Sequence, residues 1–266
     1  MNPPGIFQSR WRWSHILACN LLAVAILSSW LWQPTRQLWD QFDLSVFRML
    51  NQPLSANAFW ARLWAIANMR YADIGVAMIT FSLLIKTDWI FDGARIRSAF
   101  YGFLSLLLLL FLLRIGPVRE TLIVIDWHRA SPSLVFDDAA RLTRMFPDWE
   151  QHWHLKDSSK DCFPGDHGAV LMLWAMFLWP FASTRNRLLI AILTVVFMLP
   201  RLVSGAHWLS DDLVGGLSLS LVTFGFGFYT PWVARMTPVL ARMGDPVLRQ
   251  FDKIPGLNRI GLISGR

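Results

Sequence analysis

The sequence predicts an all-α membrane protein, a polytopic bundle of six transmembrane helices with short interfacial helices in its outer loops. Two observations carry that expectation. Of the 266 residues 54% are hydrophobic and only 16% are charged, too apolar a balance for a soluble domain of this length. The apolar residues also gather into runs close to the roughly 20 residues a helix needs to cross a hydrocarbon core. No internal repeat or low-complexity tract interrupts the pattern. One membrane domain, 16–232, is therefore expected between a short cytoplasmic N-terminus, 1–15, and a basic cytoplasmic tail, 233–266.

The spans fall at 16–32, 71–84, 98–113, 167–181, 188–200 and 213–232. Arg10 and Arg12 precede the first, but Gln33-Pro34-Thr35-Arg36 follows it where a small-residue cleavage site would stand, so an uncleaved helix is expected. Between the first two spans, 41–50 carries Phe42, Val46, Phe47 and Leu50 at helical spacing, and 59–66 carries Trp60, Leu63 and Trp64. Both predict short helices lying in the interface. The second span holds Asp73, and the third can run on past Gly116-Pro117 into 122–125. Several spans are short and lean on interfacial tryptophans or on snorkelling Lys86 and Arg114.

A net charge of +7 would suggest a nucleic-acid partner in a soluble protein. Here the cations lie between and beyond the apolar runs, where membrane orientation and anionic head groups account for them, and no nucleic acid is expected. Lys86, Arg95 and Arg97 fill one short connection and Arg185 and Arg187 another, on the same side as Arg10, Arg12 and the basic tail. Both termini are thus expected in the cytoplasm, with 33–70 and 114–166 facing outward. Cys19 lies in an apolar run and Cys162 in a polar loop, so no disulfide is expected. His152 and His154 lack supporting ligands and predict a polar loop, with no metal site. Neither a Gly-x-x-x-x-Gly-Lys loop nor a Gly-x-Ser-x-Gly elbow occurs.

Three polar clusters fall in the outward segments. They are His128-Arg129-Ala130-Ser131-Pro132, the stretch from Lys156 through Lys160 to Pro164-Gly165-Asp166-His167-Gly168, and Arg201 with Gly205, His207 and Asp211. His207 and Asp211 share one face if the sixth helix begins near them. The carboxylate can then accept a hydrogen bond from one imidazole nitrogen and leave the other free to attack phosphorus. Arg201 adds a planar fork suited to two phosphoryl oxygens. A snorkelling arginine, an interfacial histidine and a capping aspartate are each common singly, but the three at this spacing favour chemistry. Gly165 permits a tight turn whose amides, with those of Asp166 and the helix N-terminus, suit a phosphate, and His167 stands where it could protonate a leaving oxygen. Pro-Gly-Asp is equally an ordinary turn and cap. On chemistry alone Arg129 is either a phosphate ligand or a loop cation.

The order Arg129, then Pro164 to His167, then Arg201-x5-His207-x3-Asp211 on a six-span frame resembles the type 2 phosphatidic acid phosphatase (PAP2) superfamily. The phrases at 128–133, 156–168 and 200–208 are similar to its branch that phosphorylates lipid A, and the resemblance extends over 16–232. It implies a multi-pass enzyme of the cell inner membrane with a periplasmic site. His207 would form a phosphohistidine, Asp211 would orient it and His167 would protonate the leaving group. Arg129, Arg201, Gly165 and Asp166 would hold the phosphoryl oxygens. It further implies undecaprenyl diphosphate as donor, lipid A as acceptor and no cofactor, with water as acceptor in the alternative phosphatase reading. The chain departs from the superfamily pattern at Leu122, where a lysine is usual, and at Gly165 and Asp166, which replace a serine and a glycine. Lys160, Lys156 or Arg119 could supply the missing cation. Lys160 ranks first by its distance from Pro164, whereas Lys156 is the more literal match to the lipid A branch.

Overall fold

The computed structural model describes residues 6–264, and among these every regular element is helical apart from a lone bridge between Thr87 and Phe91. Helices α1 (Trp13–Leu31), α2 (Gln33–Ala56), α3 (Ala58–Ala67), α4 (Arg70–Ile85), α5 (Gly93–Leu113) and α6 (Arg119–Val124) come first. The long loop holds three short turns, α7 (Pro132–Val135), α8 (Leu142–Met145) and α9 (Pro147–Trp153). Then follow α10 (Asp166–Leu178), α11 (Thr184–Val203), α12 (Leu217–Phe228), α13 (Trp232–Phe251) and α14 (Gly261–Ser264). Local chemistry sets several starts: Asn57 accepts from the Trp60 amide, Asp92 from the Arg95 amide and Ser183 from the Asn186 amide.

Six of these helices alternate in direction. The Arg12 amide donates to the Tyr229 carbonyl (2.9 Å), so α1 begins where α12 ends. At that same end Asn186 Nδ2 reaches the Trp89 carbonyl (2.9 Å), joining the α10–α11 and α4–α5 connections. At the other end Arg114 pairs with Asp166 (2.6 Å) and Arg201 with Asp73 (2.5 Å). Between the ends α5, α10 and α12 pack through Phe103, Leu106, Leu173, Phe177, Leu219 and Phe224, all buried. Leu17 and Leu21 on α1, Ile74 and Met78 on α4, and Leu188 and Val195 on α11 are exposed large hydrophobics, an outer belt that only lipid would cover. This is an all-α membrane protein.

Among the described residues three helical stretches are long and apolar enough to cross a bilayer: Trp13–Leu31, Gly93–Val124 and Thr184–Val203. A fourth is added if Asp211–Phe228 and Trp232–Phe251, bent by 81°, count as one. Helices α4 and α10, with 16 and 13 residues, are shorter than a full span, and each carries polar residues in its first turn, Asp73 on one and Asp166 and His167 on the other. Helix does resume beyond Gly116-Pro117, as α6, but across a kink at which Gly116 leaves helical geometry (φ −91°, ψ −107°). Pro117 has no amide to keep the ladder regular there.

The segment between the first two apolar runs forms a longer helix than expected. Helix α2 has 24 residues, and its buried stripe is Asp43, Phe47, Asn51 and Leu54, whereas Phe42 is half exposed. The stripe is set by polar partners, since Asn51 Nδ2 donates to the Ala140 and Val203 carbonyls (3.1 and 3.0 Å). Apolar side chains on a helix beside a bilayer are free to face lipid, and the exposed Phe42 accords with the interfacial position expected.

Candidate active site

Helix α11 ends at Val203, and the chain turns through Gly205, whose φ of +73° an L side chain would strain. A Cβ there would also meet the Ser133 backbone nitrogen at 3.3 Å. The turn carries His207 back over the helix end, where its amide donates to the Arg201 carbonyl (3.2 Å). His207 thus precedes the helix instead of lying on it, contrary to the shared face expected from the spacing. Asp211, fully buried, instead reaches back to the Trp208 amide (2.8 Å), as a third-position carboxylate does in a capping box. Its Oδ2 lies 3.4 Å from His207 Nδ1, close but without hydrogen-bond alignment. Burial lowers the His207 pKa, but the facing carboxylates of Asp211 and Asp212 outweigh it and the net displacement is upward.

The turn before α10 is locked against this segment. The Gly165 amide donates to the Asp211 carbonyl (2.9 Å), and a Cβ at Gly165 or Gly168 would collide with the Asp212 carboxylate. Both glycines are there for close approach. The Gly165 amide is therefore committed within the protein and does not face a concavity as expected. The first-turn amides of Asp166, His167 and Gly168 have no backbone acceptor among the described residues, the usual state of a helix N-terminus. His167, half exposed, has Nε2 3.5 Å from Asp73 Oδ2, and the Asp166 carboxylate turns outward to Arg114.

Arg201 is buried, with Nη2 on Asp73 (2.5 Å) and Nη1 on the Asn68 side chain (3.2 Å) and the Asn68 and Lys156 carbonyls (3.3 and 3.4 Å). Asp73 therefore links His167 to the arginine beside His207. Arg129 is held differently. Its Nη1 donates to Asp211 and Ser210 and its Nη2 to Asp43 (2.9 Å), between the rings of Trp30 and Trp208. Asp43 also accepts from the Ser210 amide (2.8 Å) and hydroxyl (2.5 Å).

The three polar clusters meet. Ser131 and Ser159 exchange backbone and hydroxyl bonds, the Cys162 amide donates to the Arg129 carbonyl (2.9 Å), and the Ser133 amide donates to the Gly205 carbonyl (3.1 Å). Cys162 is a free thiol whose S–H donates to the same Arg129 carbonyl (3.1 Å), and burial pushes its pKa up, so it is a poor nucleophile. Of the candidate lysines, Lys156 has its backbone at the site, accepting from Arg201 and donating to the Asn68 carbonyl (3.3 Å), with an exposed side chain. Lys160 is exposed and its side chain makes no hydrogen bond or ion pair among the described residues. Arg119 is likewise exposed and bonds to none of the site residues.

Sequence reasoning missed Asp43, Asn68, Ser210 and Asp212. Asp212 stands next to Asp211 and was open to notice, and Asp43 falls in register with Phe47 and Leu54; Asn68 and Ser210 carried no signal. Asp43→Ala is expected to cost about 3–5 kcal/mol of stability, because it removes the buried partner of an Arg129 side chain that is only 10% exposed. Asp40→Ala, which loses only an exposed pair with Arg36, is expected to stay within roughly 0.5 kcal/mol. Thermal unfolding in detergent compares the two, and equal midpoints would remove Asp43 from the framework.

Comparison with known proteins adds two findings. The family model described as PAP2 superfamily matches residues 105–235, which contain all three clusters. Lipid A 1-diphosphate synthase of Escherichia coli (strain K12) is 31% identical over 247 residues, 92% of this chain and 95% of its own. No solved structure matches.

Proposed function

This chain belongs to the PAP2 superfamily and is an enzyme of it, and from that premise we propose that it moves a phosphoryl group from undecaprenyl diphosphate to lipid A, giving lipid A 1-diphosphate and undecaprenyl phosphate. The observation that carries the reading is the Asp73 bridge, which ties His167 to the Arg201 that sits against His207. In the first displacement His207 Nε2 attacks the terminal phosphorus while the bond to the bridging oxygen breaks, and His167 protonates the leaving lipid phosphate. In the second, a phosphate oxygen of lipid A attacks the phosphohistidine and the P–N bond breaks, restoring His207.

Asp73 is partly exposed, so phosphoryl oxygens can replace it on Arg201. Both carboxylates on Arg129 are buried, so Arg129 keeps them, orients Asp211 and adds charge at the rim. Three carboxylates, Asp43, Asp73 and Asp211, already pair with the two guanidinium groups, and an incoming phosphate needs further positive charge. Lys156 is better situated than Lys160 to provide it, together with the amides that begin α10. An apolar groove of about 290 Å³ between α4, α5 and α10, lined by Val76, Phe81, Phe103, Leu107 and Trp174, opens beside His167 and Asp73 and suits the chain of a lipid substrate.

The same reading includes six spans, a domain over 16–232 and both termini in the cytoplasm, with the site facing the periplasm of the inner membrane. It is supported by the gathering of Arg12, Arg95, Arg97, Arg185 and Arg187 at the end of the bundle away from the site.

The test feeds purified protein with donor labelled on its terminal phosphate, with and without lipid A. Label in lipid A is expected, and release only as free phosphate would establish the phosphatase reading in its place. A pH prediction follows from His207. The nucleophile must be neutral, so its raised pKa places the acid limb of kcat/KM above the ordinary value of about 6.5. Burial pushes the Asp212 carboxyl up to about 7, so its charge appears as the limb is crossed; Asp212→Asn removes that charge and is expected to move the limb to lower pH, and an unmoved limb would exclude Asp212 as its cause.

A further inference from the structure

A cavity of about 730 Å³ lies between the first turns of α5 and the inner face of α13, lined by both polar and apolar groups. It is distinct from the reaction site. Arg97 on its wall and Arg114 beside Asp166 are separated by 17 residues of α5, about 25 Å of helix, so the cavity opens at the opposite end of the bundle.

Three arginines line it, Arg97, Arg242 and Arg249, against one carboxylate, Asp245. Asp245 accepts a hydrogen bond from Tyr101 (3.0 Å), which holds it to the cavity floor. The Arg97 guanidinium is fixed by the carbonyls of Leu262 (2.8 Å) and Ile263, so α14 sets its position and one terminal nitrogen remains unused. Arg242 and Arg249 are exposed, with no ion pair among the described residues. Phe7, Ala94, Pro238 and Ala241 supply apolar wall beside them.

Helix α13 turns 81° away from α12 and so runs across the bundle end. It exposes Val239, Met243, Val247 and Phe251 at a spacing of four, an apolar stripe that would sit among acyl chains. A cationic, partly apolar cavity under a helix at head-group depth matches one chemistry. We propose that this cavity binds the head group of an anionic phospholipid from the leaflet on this side, its phosphate between Arg242, Arg249 and the anchored Arg97.

The experiment counts lipid retained by the full-length protein in native mass spectrometry, after incubation with phosphatidylglycerol or phosphatidylethanolamine. One phosphatidylglycerol per chain is expected, held on the order of tenfold more tightly than phosphatidylethanolamine. The double variant R242Q/R249Q should lose that preference while phosphoryl turnover in detergent is unchanged, and Ala241→Trp should lose retention by filling the space. Equal retention of the two lipids, or unchanged retention in both variants, would overturn the proposal. So would displacement of the lipid by millimolar inorganic phosphate, which would assign the cavity to the free anion.

Discussion

His207→Ala is expected to lower phosphoryl turnover by at least about 10⁴-fold, since removing the proposed nucleophile leaves only the binding and electrostatic contributions of the site. The fold should persist. Asp211 keeps its bonds from Arg129 and the Trp208 amide, and His207 Nδ1 makes no hydrogen bond that its loss would break. The variant therefore separates chemistry from structure. Turnover of a donor labelled on its terminal phosphate, together with trapping of an acid-labile phosphoprotein, reads the result. Full turnover in the variant would sink the phosphohistidine mechanism, whichever acceptor is used.

The second large effect is at Arg201. Arg201→Lys should reduce kcat by roughly 10² to 10³-fold, the range for losing one preorganised donor from a charged transition state. Arginine here reaches in two directions, to Asp73 with one terminal nitrogen and to Asn68 and the Lys156 carbonyl with the other. A lysine supplies one point charge and can satisfy one side only. Lysine is the informative choice because alanine would leave Asp73 without its guanidinium partner and cost stability as well. Initial rates against donor concentration separate kcat from KM. A kcat within twofold of the parent would show that Arg201 is structural.

Much of the framework was legible in the sequence. Helices appear at all six positions where apolar runs were read, because a run of that composition has few alternatives to helix near a bilayer. The three clusters were found by type and spacing, and they do meet. The apolar spacing over 41–50 marks a helix but neither its 24-residue length nor the buried Asp43 and Asn51 on its packed face. The His207–Asp211 pairing was anticipated, but as neighbours on a helix and not as a turn leading into a cap.

What the chain alone determined is local: apolar run length fixes helices, and short motifs fix which histidines, arginines and glycines are available for chemistry. The tertiary structure decided the partners. Asp73 stands 128 residues from Arg201, Asp43 is 86 from Arg129, and Asn68 is 133 from Arg201. A guanidinium needs an acceptor wherever it is buried, but its own sequence neighbourhood does not say which distant carboxylate will arrive. That choice belongs to the packing of the helices, which brings α2 and α4 against the loops before α10 and α12.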